Sequence, residues 1–208
     1  MIKVNDLKKG KKNRYFVTLN DKEYDVNENL ILNYHLIKGY VIDDDKVLEN
    51  IISDISYYDF YDIALTYLER NFKSSGEIKN YLKKKGASDE VSARIVSTLI
   101  SLKLLDDKKY FELYVCHYIR LGYGPIYIVN KAKQSGILKN VIDEFDFTNY
   151  EEEIKASCLK QSQKKIKLIK ESDSYQRKMK LNRYLLSRGY DYDMINEAIK
   201  ETIWKKIN

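Results

Sequence analysis

The residues able to carry acid–base, nucleophilic or metal chemistry are few and scattered. The chain has 208 residues, with 2 histidines and 2 cysteines. His35 and His117 stand in different regions, and Cys116 and Cys158 have no CxxC spacing and no paired histidines. A disulfide framework or zinc centre is not expected; reduced, partly buried thiols in a cytoplasmic protein are. His117 follows Cys116 directly, but adjacent helical positions point about 100° apart, which spoils the two as a dyad. Asp106-Asp107 has the makeup of a metal or acid–base pair, yet metal sites need further converging ligands. At the start of a helix the same two residues supply an N-cap and a favourable charge for the helix dipole. GxGxxG, GxxxxGK[ST] and HExxH are all absent from the sequence. Neither an enzyme nor a cofactor or metal is expected.

The basic residues are the other candidates. Lys and Arg number 37 against 31 Asp and Glu, a net charge of +6. Residues 1–60 hold 9 basic and 11 acidic side chains, whereas the other 148 hold 28 and 20. Lys83-Lys84-Lys85, then Arg120, Lys131 and Lys133, then Arg177-Lys178, Arg183 and Arg188 are the candidate contacts for DNA or an acidic partner. Cations in a last helical turn also serve the helix dipole and keep a surface solvated. Their recurrence at corresponding places favours a basic track.

The elements that must hold these residues are mostly helical. Glycine (8) and proline (1) are scarce, and 44% of residues are apolar, which suits a real core. No stretch approaches the ~18 apolar residues of a membrane span. The start, Met1-Ile2-Lys3-Val4-Asn5-Asp6, has no apolar signal-like run. Tyrosine (19) far outnumbers Phe (6) and Trp (1), consistent with the composition bias of an AT-rich genome.

Arg14–Leu19 and Glu23–Val26 are β-prone runs around a turn-forming Asn20-Asp21-Lys22, with Tyr15, Val17 and Leu19 on one face. Ile2–Val4 is a candidate third strand. A short helix over Leu30–Leu36, capped by Asn27 or Asn29, is expected to stop near Gly39. Another follows Asp43-Asp44-Asp45 through Val47, Ile51 and Ile55. From Tyr61 the period is helical: Tyr61, Leu65, Leu68 and Phe72 make one stripe. Ser74 or Ser75 caps a helix with Ile78 and Leu82, and Ser88 or Asp89 starts one with Val91, Ile95, Leu99 and Leu102.

That triplet recurs. Aligned on Gly86, Gly136 and Gly189, the positions eight earlier are Ile78, Ile128 and Leu181, and four earlier Leu82, Ala132 and Leu185. Five later stand Val91, Val141 and Met194, and nine later Ile95, Phe145 and Ala198. Twenty-one before are Leu65, Val115 and Leu168, where a preceding helix would pack. The expected class is therefore mainly α: three tandem three-helix repeats, elongated and curved, behind a small β-hairpin region. The boundaries read as 1–58 for the N-terminal region, then 59–108, 109–161 and 162–208 for the repeats.

Several motifs carry a resemblance. Leu104-Leu105-Asp106-Asp107-x-x-Tyr110, Gly122-Tyr123-Gly124-Pro125-x-x-Ile128, Gly136-Ile137 and Leu185-x-x-Arg188-Gly189-Tyr190-x-Tyr192 together resemble the RecX family. Ala64-Leu65-x-x-Leu68 and Ser75-x-Glu77-Ile78-x-x-Tyr81-Leu82 look like that family's first repeat, and the agreement covers about residues 60–202. Leu30-x-x-x-Tyr34-His35-Leu36-x-x-Gly39 looks like the longer N-terminal region of some members. Two positions depart: Ala132 stands where a larger aliphatic is favoured, and Ser187 where a second arginine is common.

The resemblance implies a regulator, monomeric when free, that binds the RecA–DNA filament in its helical groove and inhibits recombinase, ATPase and filament extension. It brings no catalytic residues. DNA would be met directly or through the filament, with no membrane involved. A stand-alone basic helical DNA-binding protein is the alternative, and a structural adaptor docking through its hairpin edge a third reading. Gly122-Tyr123-Gly124-Pro125 reads as a helix stop and restart rather than a phosphate cradle, since no strand precedes it. Tyr127, Tyr184, Tyr190 and Tyr192 could stack on bases but read better as half-buried packing.

Overall fold

The computed structural model describes residues 2–69, 72–171 and 173–204. Two compact units result, residues 1–73 with 78–105, and residues 74–77 with 106–208.

In the first unit, β1 (Ile2–Lys9), β2 (Arg14–Leu19), β3 (Lys22–Asn27) and β4 (Val41–Ile42) form an antiparallel sheet in the order β3-β2-β1-β4. Val17 and Leu19 point into the core with Ile2 and Val4, as the period of two requires, and Tyr15 is half-buried. Asn20 makes the tight β2–β3 turn at φ 51°. Strand β1 is longer than Ile2–Val4. Its second half, Asp6–Lys9, is polar except for Leu7 and gains strand form by pairing with β2 across a register shift between Val4 and Asp6.

Helix α1 (Glu28–Tyr34) is capped by Asn27, whose Oδ1 accepts from the Asn29 N–H at 2.8 Å. It ends at His35 (φ 50°), earlier than the expected stop near Gly39. Buried Leu36 donates its N–H back to Ile31 O at 3.0 Å and closes the helix end. The two helices expected after Asp43 are one, α2 (Asp45–Leu68), of 24 residues. Residues 56–60 contain neither Gly nor Pro to break it, so the boundary read at 58/59 falls inside a continuous helix. Ile51 joins the sheet core, while Tyr57 and Ala64 join a second core with Ile78, Leu82, Ile95 and Leu99. Phe72 lies beyond the helix and is 58% exposed, off the expected stripe.

Helices α3 (Ser75–Lys84) and α4 (Asp89–Ser101) complete the first three-helix module. Ser74 and Glu77 form a capping box: Ser74 Oγ accepts from Glu77 N–H at 3.2 Å, and Glu77 Oε2 from Ser74 N–H at 3.0 Å. Ser88 caps α4, accepting from the Val91 N–H at 3.1 Å. Leu102 follows that helix and is exposed. On α2, buried Asp54 accepts from the Tyr34 hydroxyl at 2.8 Å and pairs with Arg94 of α4. The Arg94 guanidinium also lies 4.2 Å from the centre of the Tyr57 ring.

The second unit holds α5 (Asp107–Arg120), α6 (Pro125–Gln134) and α7 (Lys139–Asp143). A 3-10 turn over Phe147–Tyr150 leads to α8 (Glu151–Ile166), α9 (Ser174–Ser187) and α10 (Tyr192–Trp204). Its core includes Phe111, Val115, Ile128, Ile154, Leu181 and Leu185, all nearly inaccessible. The boundary read at 161/162 falls inside α8, and that at 108/109 in the first turn of α5. Leu168 is not the core residue expected from the alignment. It lies past α8 and is 73% exposed, because a longer connection follows α8 and Ile154, Cys158, Ser162 and Ile166 turn inward instead.

The three glycines end their helices in one way. Gly86, Gly136 and Gly189 have φ of +101°, +79° and +81°. The next residue in each case bonds back to the residue four before the glycine: Ala87 to Leu82 O at 3.1 Å, Ile137 to Ala132 O at 3.2 Å, Tyr190 to Leu185 O at 3.4 Å. Each of those following residues is buried, as the Schellman end demands.

Candidate functional site

The ten candidate cations fall into two groups. Lys83, Lys84 and Lys85 close α3 in the first unit. Lys83 pairs with Asp89 at 2.5 Å, and the Lys85 ammonium lies 5.6 Å from the Tyr81 ring centre. Lys84 is exposed. In the second unit, Arg120, Lys133, Lys178 and Arg183 are exposed, and Lys131, Arg177 and Arg188 are half-buried.

Arg188 has an internal task. Its Nη1 donates to Leu121 O at 3.0 Å and Gly122 O at 3.3 Å, satisfying carbonyls at the end of α5. The guanidinium stacks on Tyr123 at 4.6 Å and Tyr184 at 5.3 Å. Lys85 over Tyr81 occupies the same two places relative to its glycine as Arg188 over Tyr184. Lysine keeps the charge of Arg188 but lacks the planar fork. R188K should therefore lower unfolding free energy by about 1 kcal/mol in urea titrations at unchanged slope, and no loss would refute the role.

Around it, Gly122-Tyr123-Gly124-Pro125 stops α5 and restarts α6 with Pro125 in the first turn. The open amides of α6 meet the carbonyl end of α9: Gly124 N–H donates to Arg188 O at 2.8 Å and Ile126 N–H to Gly189 O at 3.1 Å. Tyr127 stacks on Tyr123 at 4.0 Å, Tyr184 donates to Gln161 Oε1 at 2.9 Å, and Tyr192 is exposed.

Tyr190 is fully buried, with its hydroxyl 3.0 Å from Ser157 Oγ, which in turn donates to Ile119 O at 2.9 Å. Burial pushes the Tyr190 phenol up to about 12. A folded value above the unfolded one means stability is intact below the unfolded value near 10 and is lost as pH rises toward 12. Alkaline unfolding should show that window, with a slope of up to about 1.4 kcal/mol per pH unit from this residue. A Tyr190→Phe chain should show a shallower slope; an unchanged slope counts against the assignment.

A groove of about 420 Å³ lies between α5 and α8, lined among others by Arg120, Glu153, Ser157, Lys160, Gln161 and Lys164. Lys160 and Lys164 are not among the cations that the sequence singles out. Their only signal is a four-residue spacing on one helical face, which lysine-rich helices show commonly. Among the described residues, Arg120, Lys160 and Lys164 make no ion pair, whereas Lys155 on the same helix holds Glu151 at 2.7 Å.

His35 and His117 are exposed, and His117 meets Tyr118 edge-on. Cys158 is buried, its thiol pushed up to about 12 by desolvation. Asp106 caps α5, accepting from the Lys109 N–H at 3.0 Å. No helix among the described residues is long and apolar enough to cross a membrane.

These features define a class: tandem three-helix modules with basic faces behind a small antiparallel sheet. Family models for the first and third three-helix domains of RecX match residues 61–99 and 151–199. The regulatory protein RecX of Clostridium acetobutylicum is 32% identical over 203 residues, covering 94% of this chain and 93% of that protein. That of Clostridium perfringens strain 13 is 31% identical, covering 82% and 81%. A crystal structure of regulatory protein RecX superposes at TM-score 0.81 and 24% identity, covering 97% of this chain and 100% of that one. RecX from Lactobacillus salivarius superposes at TM-score 0.65 and 23% identity, over 72% and 97%. The chain belongs to the RecX family.

Proposed function

We propose that this protein binds the RecA–DNA filament, in its helical groove, and inhibits recombinase activity, ATP hydrolysis and filament extension. The observation that carries the reading is family membership over nearly the whole chain, with relatives named regulatory protein RecX. The cationic modules support it, since residues 61–208 hold 28 basic and 20 acidic side chains. Three modules present candidate contacts: Lys84 on the first; Arg120, Lys131 and Lys133 on the second; Arg177, Lys178 and Arg183 on the third. Lys83, Lys85 and Arg188 add charge while also engaging Asp89, the Tyr81 ring and the carbonyls that end α5. The protein is a monomer when free, in the cytoplasm, and works without cofactor or catalysis. Binding shifts a filament equilibrium only through unequal affinity for its states, so modules bridging neighbouring protomers would favour one geometry.

The test adds substoichiometric protein to RecA, single-stranded DNA and ATP and follows hydrolysis and filament length. Both should fall; no effect of folded protein on either defeats the reading. Replacing Lys83, Lys84 and Lys85 by Glu should weaken inhibition and flatten its salt dependence, and inhibition unchanged across salt removes them from the interface. The alternative, a stand-alone DNA-binding protein, predicts tight DNA affinity without RecA that falls steeply with salt.

A further inference from the structure

The α5–α8 groove concentrates charge that the surrounding structure leaves unspent. Several other lysines of the second unit are occupied: Lys108 by Glu144 at 2.9 Å, Lys155 by Glu151, Lys180 by Glu171, and Lys165 over the Tyr184 ring at 5.1 Å. Lys160 and Lys164 stand one turn apart on α8 and share the groove with Arg120 of α5. Like charges at that spacing cost stability unless a counter-charge arrives. Glu153, the one carboxylate among the described residues lining the groove, leaves it with a net surplus of two positive charges.

Most of the neutral polar groups are already engaged. Ser157 Oγ donates to Ile119 O, Gln161 Oε1 accepts from Tyr184, and the Tyr150 hydroxyl donates to Glu112 at 3.0 Å. Charge is therefore the main handle offered to a ligand, with no free set of donors and acceptors arranged to read base edges. Packed helix axes lie only ~8–10 Å apart, about one helix diameter, so the groove is a narrow furrow along which one backbone can lie and which a duplex cannot enter.

We infer that the α5–α8 groove seats the sugar–phosphate backbone of a single nucleic-acid strand, with Arg120, Lys160 and Lys164 meeting successive phosphates. The bases are not read. This deepens the proposed function by naming the filament component that the second unit grips, and it rests on that reading for the choice of polymer.

The test measures anisotropy of a labelled oligo(dT) of about 12 nucleotides, within the usual ~4–16 nucleotide site, against the full chain over a salt series. The double variant K160Q/K164Q should bind about tenfold more weakly. Its slope of log affinity on log salt should fall by about 1.4, at ~0.7 for each phosphate no longer neutralised. Adding R120Q should remove about 0.7 more. E153Q should tighten binding severalfold, a gain that a purely structural residue would not give, and K155Q should change neither quantity. These are surface side chains, and circular dichroism would confirm that each variant folds.

Unchanged affinity and slope in the triple variant would overturn the assignment. So would equal affinity for a blunt duplex, or a poly-glutamate peptide binding wild type as tightly as the strand. Strand binding that stays intact while RecA is not inhibited would sink the proposed function and leave the groove standing. Inhibition that persists when the triple variant binds strand like wild type would overturn the groove alone.

Discussion

Gly189→Ala is expected to destabilise the second unit by about 3–4 kcal/mol, whereas Gly86→Ala, at the matching position of the first module, should cost about 1 kcal/mol. Both glycines have positive φ, so each alanine meets the left-handed penalty of ~1–2 kcal/mol. The difference lies in what surrounds them. A Cβ at Gly86 would meet nothing within 4 Å, but at Gly189 it would lie 2.2 Å from the Tyr127 backbone nitrogen. Backbone cannot swing aside as a side chain can, and overpacking adds ~1–3 kcal/mol. Gly124, whose Cβ would sit 2.4 Å from Gly189 O, has φ −90° and should show the overpacking cost alone, ~1–3 kcal/mol. Urea titrations of the three variants decide it. Equal losses at Gly86 and Gly189 would mean that the α6–α9 junction yields where the geometry says it cannot.

The second large effect is at Asp54. Arg94→Ala should cost about 3 kcal/mol, because it leaves a buried carboxylate with only Tyr34 to hold it. The value sits at the low end of the ~3–5 kcal/mol range for broken buried pairs, since the Arg94 side chain is 52% exposed and water reaches the pair. Removing both charges, as Asp54→Leu with Arg94→Met, should cost less than the sum of the single changes, since no charge is then stranded. Strict additivity in a thermal-melt cycle would show that the ion pair is not the source of the loss.

The helices are legible where periodicity and caps agree. Ser88, Asn27 and the three stop glycines are local devices, acting within a few residues of themselves, and all hold in the structure. What escapes depends on distant partners. Strand form in Asp6–Lys9 comes from β2, not from its own mostly polar sequence. Leu168 falls outside the core because a fixed offset from a glycine cannot register a change in connection length. The lysine-rich segments mark basic modules, but not which cations are spent internally. Arg188 reads as a surface charge until the α5 carbonyls and two tyrosine rings come beside it from elsewhere in the chain. Arg120, Lys160 and Lys164 are up to 44 positions apart and meet only because α5 and α8 pack.

Helix α2 lends residues to both cores of the first unit, Ile51 to one and Tyr57 with Ala64 to the other. Neither core can be dismantled without stripping turns from the helix that the other needs. The sheet and the first module should thus behave as a single cooperative folding element: amides at both ends of α2 should exchange with solvent at a common opening free energy, and a truncation at residue 58 should cripple the module it was meant to isolate.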